Sequence, residues 1–568
     1  MTTQAPTASR GSSREIANAW LTSRRHQAIV AVVLYVTITI GYFGVDVLPH
    51  LGRYCVCEPA GTDPSGYMWN LAWWPHALLH GLNPFVTDAV FAPNRVRLGG
   101  EGMLVPGAAI VAAPVTLLFG PIISWNLLML ASPVLAAFFA FLLCRYVTGS
   151  FAPSLVGGYL FGFSAYVLGH MLGHLNLVLI FPLPAGVHLT LRLIDGRITE
   201  RRYIALMVGT LLALLLSSTE LAFTFVLLGV IALGTTFALA PALRQRVLAS
   251  FKPILIAGIA AALVASPVIY YGLVGIVKFP AAMGDLGGDA LGFFVPTGLI
   301  RLGRSYFAAV SAQFTTGNGA EGGIYIGLPL ALIIARYAIV RWRLTSTRII
   351  VVVLGIVTVL LLGSHLHISG HSTIPLLWKV IDYWLLREVL PVRLGVYMFL
   401  IVAILAAMWL AQPRAGGWGM AKWALAAVSI AFLLPNVGAG WWHWRPPNPP
   451  FFTTHTYRSA LRRNETVLVL PSNQLGMSML WQAETGMWFR MVGGDLGTLV
   501  PADYEHDPLA PALAGQVQPT PYELRSFLSR RHVTAVIVDP QQPQQWHDAL
   551  AALGHPPVSL GGVLLYRV

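Results

Sequence analysis

Residues 61–85 read Gly-Thr-Asp-Pro-Ser-Gly-Tyr-Met-Trp-Asn-Leu-Ala-Trp-Trp-Pro-His-Ala-Leu-Leu-His-Gly-Leu-Asn-Pro-Phe. An acid followed by proline suits a helix start, because the carboxylate accepts from free backbone N–H groups and proline needs no partner there. On the helix that follows, Trp69, Trp73, Trp74 and Leu78 share a face, which predicts a helix lying in a membrane–water interface. The flanks support a membrane setting. Apolar runs of about 18 residues or more recur from Gln27 to Gly440, each able to cross a hydrocarbon core of about 30 Å as a helix. Of the 568 residues, 56% are hydrophobic and 10% charged, and the charged share is under half of the roughly 25% usual for soluble domains. An ordinary soluble enzyme is excluded, and a polytopic α-helical membrane protein is predicted.

Basic residues orient the chain. The formal charge of +13 would suggest nucleic acid in a soluble protein. Here the clusters Arg192/Arg197/Arg201/Arg202, Arg244/Arg246/Lys252, Arg336/Arg341/Arg343/Arg348 and Arg414/Lys422 fall between apolar runs and mark cytoplasmic loops. No nucleic-acid partner is expected. Residues 1–26, with Arg10, Arg14, Arg24 and Arg25, read as a cytoplasmic tail before a retained first span, since the apolar run is too long for a cleaved signal. Parity between the clusters leaves one apolar segment, Met103–Gly120 with Pro106 and Pro114, that does not cross and reads as re-entrant or interfacial. The count is about eleven spans in a domain over 27–440, with a large outer loop over 49–102. Beyond the prolines at 446, 447, 449 and 450, residues 441–568 form an extracytoplasmic α/β domain with strands at Thr466–Leu470, Thr534–Val538 and Gly562–Arg567. Cys55, Cys57 and Cys144 are too few for a framework and read as incidental.

The scarce outward acids and their neighbours are the chemical candidates. Asp63 fits both a helix cap and a general base, and the two roles are compatible. Glu220, after Ser217, Ser218 and Thr219, is enclosed by long apolar runs, which makes it a functional candidate or a turn-exposed acid. It can share a divalent metal with Asp63. His170 and His174 stand four apart, so a helix puts both imidazoles on one face. No acid or cysteine is near them in sequence, which favours hydrogen bonding or packing over zinc. Arg387 and Arg393 flank Val389-Leu390-Pro391 at an outer span end and suit either phosphate or lipid headgroups. His365, His367, His371, Lys278, Asp285, Asp289, Arg301 and Arg304 fall on the other outer loops. No phosphate-binding glycine motif or nucleophile elbow is present.

One span, a large acidic outer loop with interfacial helices and then a compact multi-span module resemble the GT-C membrane glycosyltransferases. Local matches are Asp63–Trp74, His80-Gly81-Leu82-Asn83-Pro84-Phe85, Phe91-Ala92-Pro93-Asn94, Gly173-His174-Leu175-Asn176 and Arg387–Arg393. The paired acids of several such enzymes are absent, because Pro64 follows Asp63. The resemblance implies transfer of a hexosyl or pentosyl group from a polyprenyl-phosphate donor to an envelope glycan, lipid or protein acceptor at the outer face of the cytoplasmic membrane, with inversion. Asp63 would be the base. Glu220, His170, His174, Arg387, Arg393, Trp69, His80 and Asn83 would bind substrate. No cofactor is required, although a divalent metal is compatible with the acids. The rivals are a transporter or flippase for lipid-linked saccharides and a non-catalytic envelope-assembly protein; a transporter would show internal repeats and more mid-membrane charge.

Overall fold

The computed structural model describes residues 23–59, 61–100, 103–275, 286–304, 306–314, 320–381, 386–387, 389–413, 417–497, 499–541 and 546–568. Arg10, Arg14, Lys278, Asp285 and Arg414, named above, lie outside them. The chain is a polytopic helical membrane protein. Among the described residues, seven helical stretches are long and apolar enough to cross a membrane: 24–44, 121–148, 151–170, 175–194, 219–239, 241–264 and 391–411.

The helices used below are α1 (Arg24–Thr39), α2 (Asp63–Leu79), α3 (Pro106–Phe119), α4 (Pro121–Thr148), α5 (Phe151–Gly162), α6 (Ala165–His170), α7 (Pro182–Ile194), α8 (Glu200–Leu215), α9 (Thr219–Leu239), α10 (Arg244–Val264), α11 (Leu328–Arg341), α12 (Thr345–Leu361), α13 (Gly395–Ala411) and α14 (Gly417–Phe432). Proline stands in the first turn of α2, α3, α4 and α7, where its missing N–H has no helical acceptor to lose.

Small residues set the packing at the centre of the bundle. In α5, Gly158 lies where a Cβ would overlap the Tyr35 hydroxyl of α1, and a Cβ at Gly162 would sit 2.5 Å from Ala137 Cβ and 2.7 Å from the Pro133 carbonyl of α4. Apolar solvent gives little drive for helices to associate, so close backbone approach of this kind carries much of the cohesion. Tyr35 donates across the same contact to the Leu155 carbonyl at 2.9 Å.

Both ends of helix α3 adjoin other elements. Gly107 N donates to the Leu216 carbonyl at the end of α8 at 2.9 Å, and a Cβ at Gly120 would lie 3.7 Å from Glu484 of the C-terminal region. Its outward side chains Val111, Leu118 and Phe119 are exposed.

The C-terminal region holds a five-stranded sheet of β1 (Thr466–Leu470), β2 (Arg490–Met491), β3 (Ala535–Val538), β4 (Val558–Leu560) and β5 (Val563–Arg567), in the order β2-β1-β3-β5-β4. The β2, β1 and β3 strands are parallel, and β5 and β4 run antiparallel. Helices α15 (Ser478–Glu484) and α16 (Pro521–Arg530) accompany it, the latter opened by a Thr520/Glu523 capping box.

The loop over 49–102 and the C-terminal region share one core. Met491 N donates to the Ala89 carbonyl at 2.8 Å and Ala92 N to the Met491 carbonyl at 2.9 Å, so loop backbone continues the hydrogen bonding beyond β2. Gln482 of α15 accepts from Trp69 Nε1 at 2.6 Å and donates to the carbonyls of Ala89 and Phe489. The interfacial expectation for the tryptophans is therefore corrected: Trp69, Trp73 and Trp74 are buried against protein, and only Leu78 of that face is exposed. Helical spacing identifies an apolar face but not whether lipid or protein covers it. Cys55 and Cys57 are joined in a disulfide, contrary to the incidental reading, in a segment that pairs with Trp444 and accepts from Trp125 Nε1.

Candidate functional site

A chain of polar side chains begins at the first residue of α2 and runs inward. Asp63 is half-exposed, and its Oδ2 lies 3.1 Å from His174 Nε2. His174 Nδ1 lies 3.0 Å from His170 Nδ1 across the turn that follows α6; the helix expected to carry both imidazoles ends at His170. The His170 ring is buried, and its Nε2 is 3.9 Å from Glu321 Oε2. Arg393 then donates to Glu321 through Nε and Nη2, at 3.1 and 2.7 Å, and through Nη1 to Glu220 Oε2 at 2.6 Å. Glu220 Oε1 accepts from Leu390 N at 3.1 Å.

Local backbone features hold these groups in place. Ser164 caps α6 by accepting from Val167 N, and α6 ends at His170. Gly173 presses on the first turn of α2, where a Cβ would be 3.3 Å from Pro64. Ser218 caps α9 and fixes Glu220 in its first turn. Glu321 arrives on a glycine-rich segment that lies against α6. A Cβ at Gly323 would be 2.5 Å from the Ala165 carbonyl, and one at Gly169 would overlap the Ala320 carbonyl.

Further acids approach Asp63. Burial raises the Glu58 carboxyl, partly offset by His174 and reinforced by Asp63. Asp495 comes from the C-terminal region on a Gly-Gly-Asp-Leu-Gly loop whose backbone meets Gly66 of α2. Burial pushes its carboxyl up to about 6; Gly497 N–H and Gln474 offset part of that, and the charge of Asp63 adds to it. Burial likewise opposes ionisation of Glu321, but Arg393 and the histidines overcome it and hold its carboxyl at about 2.

Several sequence expectations change. Glu220 does not meet Asp63; it is bound to Arg393 and to backbone. Arg393 is largely enclosed and neutralised by two carboxylates, so the phosphate role expected of it does not fit this geometry. Arg387 is exposed, with no ion pair among the described residues. His80 and Asn83 lie beyond the far end of α2, roughly 24 Å from Asp63 by helical rise. There His80 contacts Arg463 and His76, and Asn83 donates to Tyr271. Trp69 is sealed beneath the loop. Neither a shared Asp63/Glu220 metal nor an unassisted histidine pair matches the arrangement. Among the described residues, the group whose ligand atoms lie within 4.8 Å of one another is His170, His174 and Glu321. Asp289 caps Leu291 and accepts from Gly370 N, and Arg304 donates to Asn436, so these outer-loop candidates hold the loops together.

Missed from sequence were Glu321 and Asp495. Each is a lone acid bordered by glycine pairs, Gly322-Gly323 and Gly493-Gly494, in a chain poor in acids. That pattern was the available signal.

The fold resembles that of solved GT-C membrane glycosyltransferases. The chain aligns along 96% of its length with an arabinofuranosyltransferase, AftD from Mycobacteria, at TM-score 0.53 and 15% identity, but spans only 41% of that protein. It aligns along 97% of its length with 98% of ArnT from Cupriavidus metallidurans at TM-score 0.50 and 12% identity. With the Archaeoglobus fulgidus oligosaccharyltransferase in its apo form it shares a TM-score of 0.50 and 13% identity, over 93% of this chain and 71% of that one. No curated protein matches the sequence. The chain belongs to the DUF6311 family, described as a domain of unknown function, whose model matches residues 32–386.

Proposed function

We propose that the chain is a membrane glycosyltransferase that moves a sugar from a polyprenyl-phosphate donor to an envelope glycan, lipid or protein acceptor on the outer face of the cytoplasmic membrane. The observation that carries this reading is Asp63, half-exposed at the mouth of a buried polar chain with His174 fixing one of its two oxygens. The other oxygen is left to take the acceptor proton. The acceptor oxygen then forms a bond to the anomeric carbon while the bond from that carbon to phosphate breaks, and polyprenyl phosphate leaves with the electron pair. Attack opposite the leaving group inverts the centre. Exposed Arg387 is the remaining candidate for the departing phosphate.

The topology proposed with it has about eleven spans, a cytoplasmic N-terminus and residues 441–568 outside. Both ends of α3 adjoin outer elements, which supports an interfacial helix in place of a further crossing. Residues 27–440 and 441–568 are the two proposed domains, joined through the loop over 49–102.

Purified protein in vesicles, given a radiolabelled polyprenyl-phosphate pentose or hexose and envelope-lipid acceptors, is expected to yield a product with inverted anomeric configuration by NMR. Solute or lipid translocation without a new glycosidic bond would overturn the reading in favour of a transporter.

A further inference from the structure

The basic segments 192–202 and 244–252 do not form a flat surface. They frame a cavity of about 720 Å³, walled by the turn that joins α7 to α8 and by the first turns of α10. We infer that this cavity binds the headgroup of an anionic, hydroxyl-bearing phospholipid, with Arg197 and Arg246 on the phosphate and Asp195 and Glu200 accepting from the hydroxyls.

Charge gives the ligand its sign. The two segments hold seven cations against two acids. Arg197 and Arg246 line the cavity, both are exposed, and neither has an ion pair among the described residues. Arg393, by contrast, is closed between two carboxylates. Open guanidinium forks suit phosphate oxygens. An excess of cations alone would draw this end of the bundle toward an anionic leaflet without any defined seat.

Three features make a seat. The first is volume, since small ligands occupy concavities of about 300–1,000 Å³, and basic pockets between membrane helices take lipid headgroups. The second is a rim that is already built. Arg197 N donates to the Arg192 carbonyl at 2.8 Å, and Arg192 Nη2 donates to the Arg197 carbonyl at 3.4 Å. Tyr146, in the last turn of α4, donates to Asp195 Oδ2 at 2.6 Å, and its ring centre lies 5.9 Å from the Arg197 guanidinium carbon. One side chain thereby places an acid and a base on the same rim. The third is an apolar approach. Ile194 and Ile198 are buried behind the rim, and beside Ala249 on α10 the side chains of Leu248, Phe251 and Leu255 are exposed. A soluble phosphate gains nothing from that surface, whereas acyl chains lie along it while the headgroup fills the cavity.

The two acids narrow the headgroup. Carboxylates accept from hydroxyl groups, as a glycerol headgroup supplies, and the surrounding cations oppose the ammonium of an ethanolamine headgroup. The cavity and His174 stand at opposite ends of the stretch 175–194, roughly 30 Å apart by helical rise. The site is therefore separate from the proposed transfer chemistry, and lipid binding is measured without donor or acceptor. In the proposed topology it faces the cytoplasmic leaflet.

The test titrates the full chain in neutral detergent with phosphatidylglycerol and reads bound lipid by native mass spectrometry. Phosphatidylethanolamine, glycerol 3-phosphate and inorganic phosphate are separate probes. Wild type is expected to hold one phosphatidylglycerol at least 10-fold more tightly than any of the three. Arg197→Gln with Arg246→Gln is expected to weaken it about 10- to 30-fold, from about fivefold for each cation beside an anionic headgroup. Ala249→Trp keeps every charge and fills the cavity, and it is expected to lose binding by at least as much. Arg341→Gln with Arg343→Gln removes two cations of another basic cluster and is expected to match wild type. Gel filtration and thermal melting verify that each variant is folded. Binding that survives either the arginine pair or Ala249→Trp would overturn the site. An equal loss in the Arg341/Arg343 control would overturn it in favour of diffuse attraction. Equal affinity for the soluble phosphates or for phosphatidylethanolamine would overturn the assignment of the headgroup.

Discussion

The mouth and the floor of the polar chain are built from similar groups and behave oppositely. At the mouth, Asp63 is half-exposed and one imidazole holds it. At the floor, Arg393 is closed between Glu220 and Glu321, and backbone supplies a further hydrogen bond to Glu220. Exposure separates their tasks. A carboxylate with an unengaged oxygen facing solvent can accept a proton from an incoming hydroxyl, whereas a guanidinium saturated by two carboxylates holds α9, α13 and the segment around Glu321 together. Sequence marks Asp63 as the base and Glu220 as a substrate-binding or metal-sharing acid, and the structure leaves Asp63 the candidate base and makes Glu220 part of the scaffold.

The largest expected effect on stability comes from breaking the floor. Arg393→Ala leaves two buried carboxylates facing each other without a cation and should cost about 3–5 kcal/mol, read as loss of folded protein in detergent. A double variant, Arg393→Leu with Glu220→Gln, should recover part of that loss; if it is no better than the single change, the floor is not held by charge balance. Next comes the bundle beneath it. Gly162→Leu forces side chain into the α4 backbone and should cost about 1–3 kcal/mol or more, measured as a fall in melting temperature.

The acids contributed by the C-terminal region give a pH signature. Burial raises Asp495 from 3.8 to about 6 and Glu484 from 4.5 to about 7, the latter opposed by Asn448. A carboxyl that is harder to ionise when folded binds its proton more tightly in that state. Stability from these groups is therefore full below pH 4 and declines as pH rises through 6 and then 7, on the order of 1–3 kcal/mol for each. Asp495→Asn should flatten the melting curve between pH 4 and 6 and leave the decline toward 7. An unchanged profile would place Asp495 outside the enclosed loop. The smallest effect is expected at the exposed Arg387: Arg387→Gln should leave stability within about 0.5 kcal/mol while raising the KM for a phosphate-linked donor, if it reaches the site as proposed. Unchanged KM would remove it from the mouth.

Local features of this arrangement were legible in sequence. Asp63 before Pro64 announces a helix start, the four-residue spacing brings His170 and His174 together, though across a turn and not on one helix, and the isolation of Glu220 among apolar runs marks it as unusual. The failures concern long-range packing. Nothing adjacent to His170 indicated that Glu321, about 150 residues later, would be its neighbour, because close approach at Gly169 and Gly323 brings them together. The Trp69 face was assigned to lipid because periodicity registers burial without naming the partner, and here α15 is the cover. Arg393 was read as a free cation at a span end, since sequence offers no view of the two carboxylates that meet it.

The distinction between mouth and floor is tested most directly by the rate of sugar transfer per folded molecule in Asp63→Asn, compared with wild type in the same vesicles. The amide keeps the size of the side chain and removes the proton acceptor, so the rate is expected to fall by about 10²–10⁴ with melting temperature and membrane insertion unchanged. Transfer at the wild-type rate by a normally folded Asp63→Asn protein would contradict the assignment.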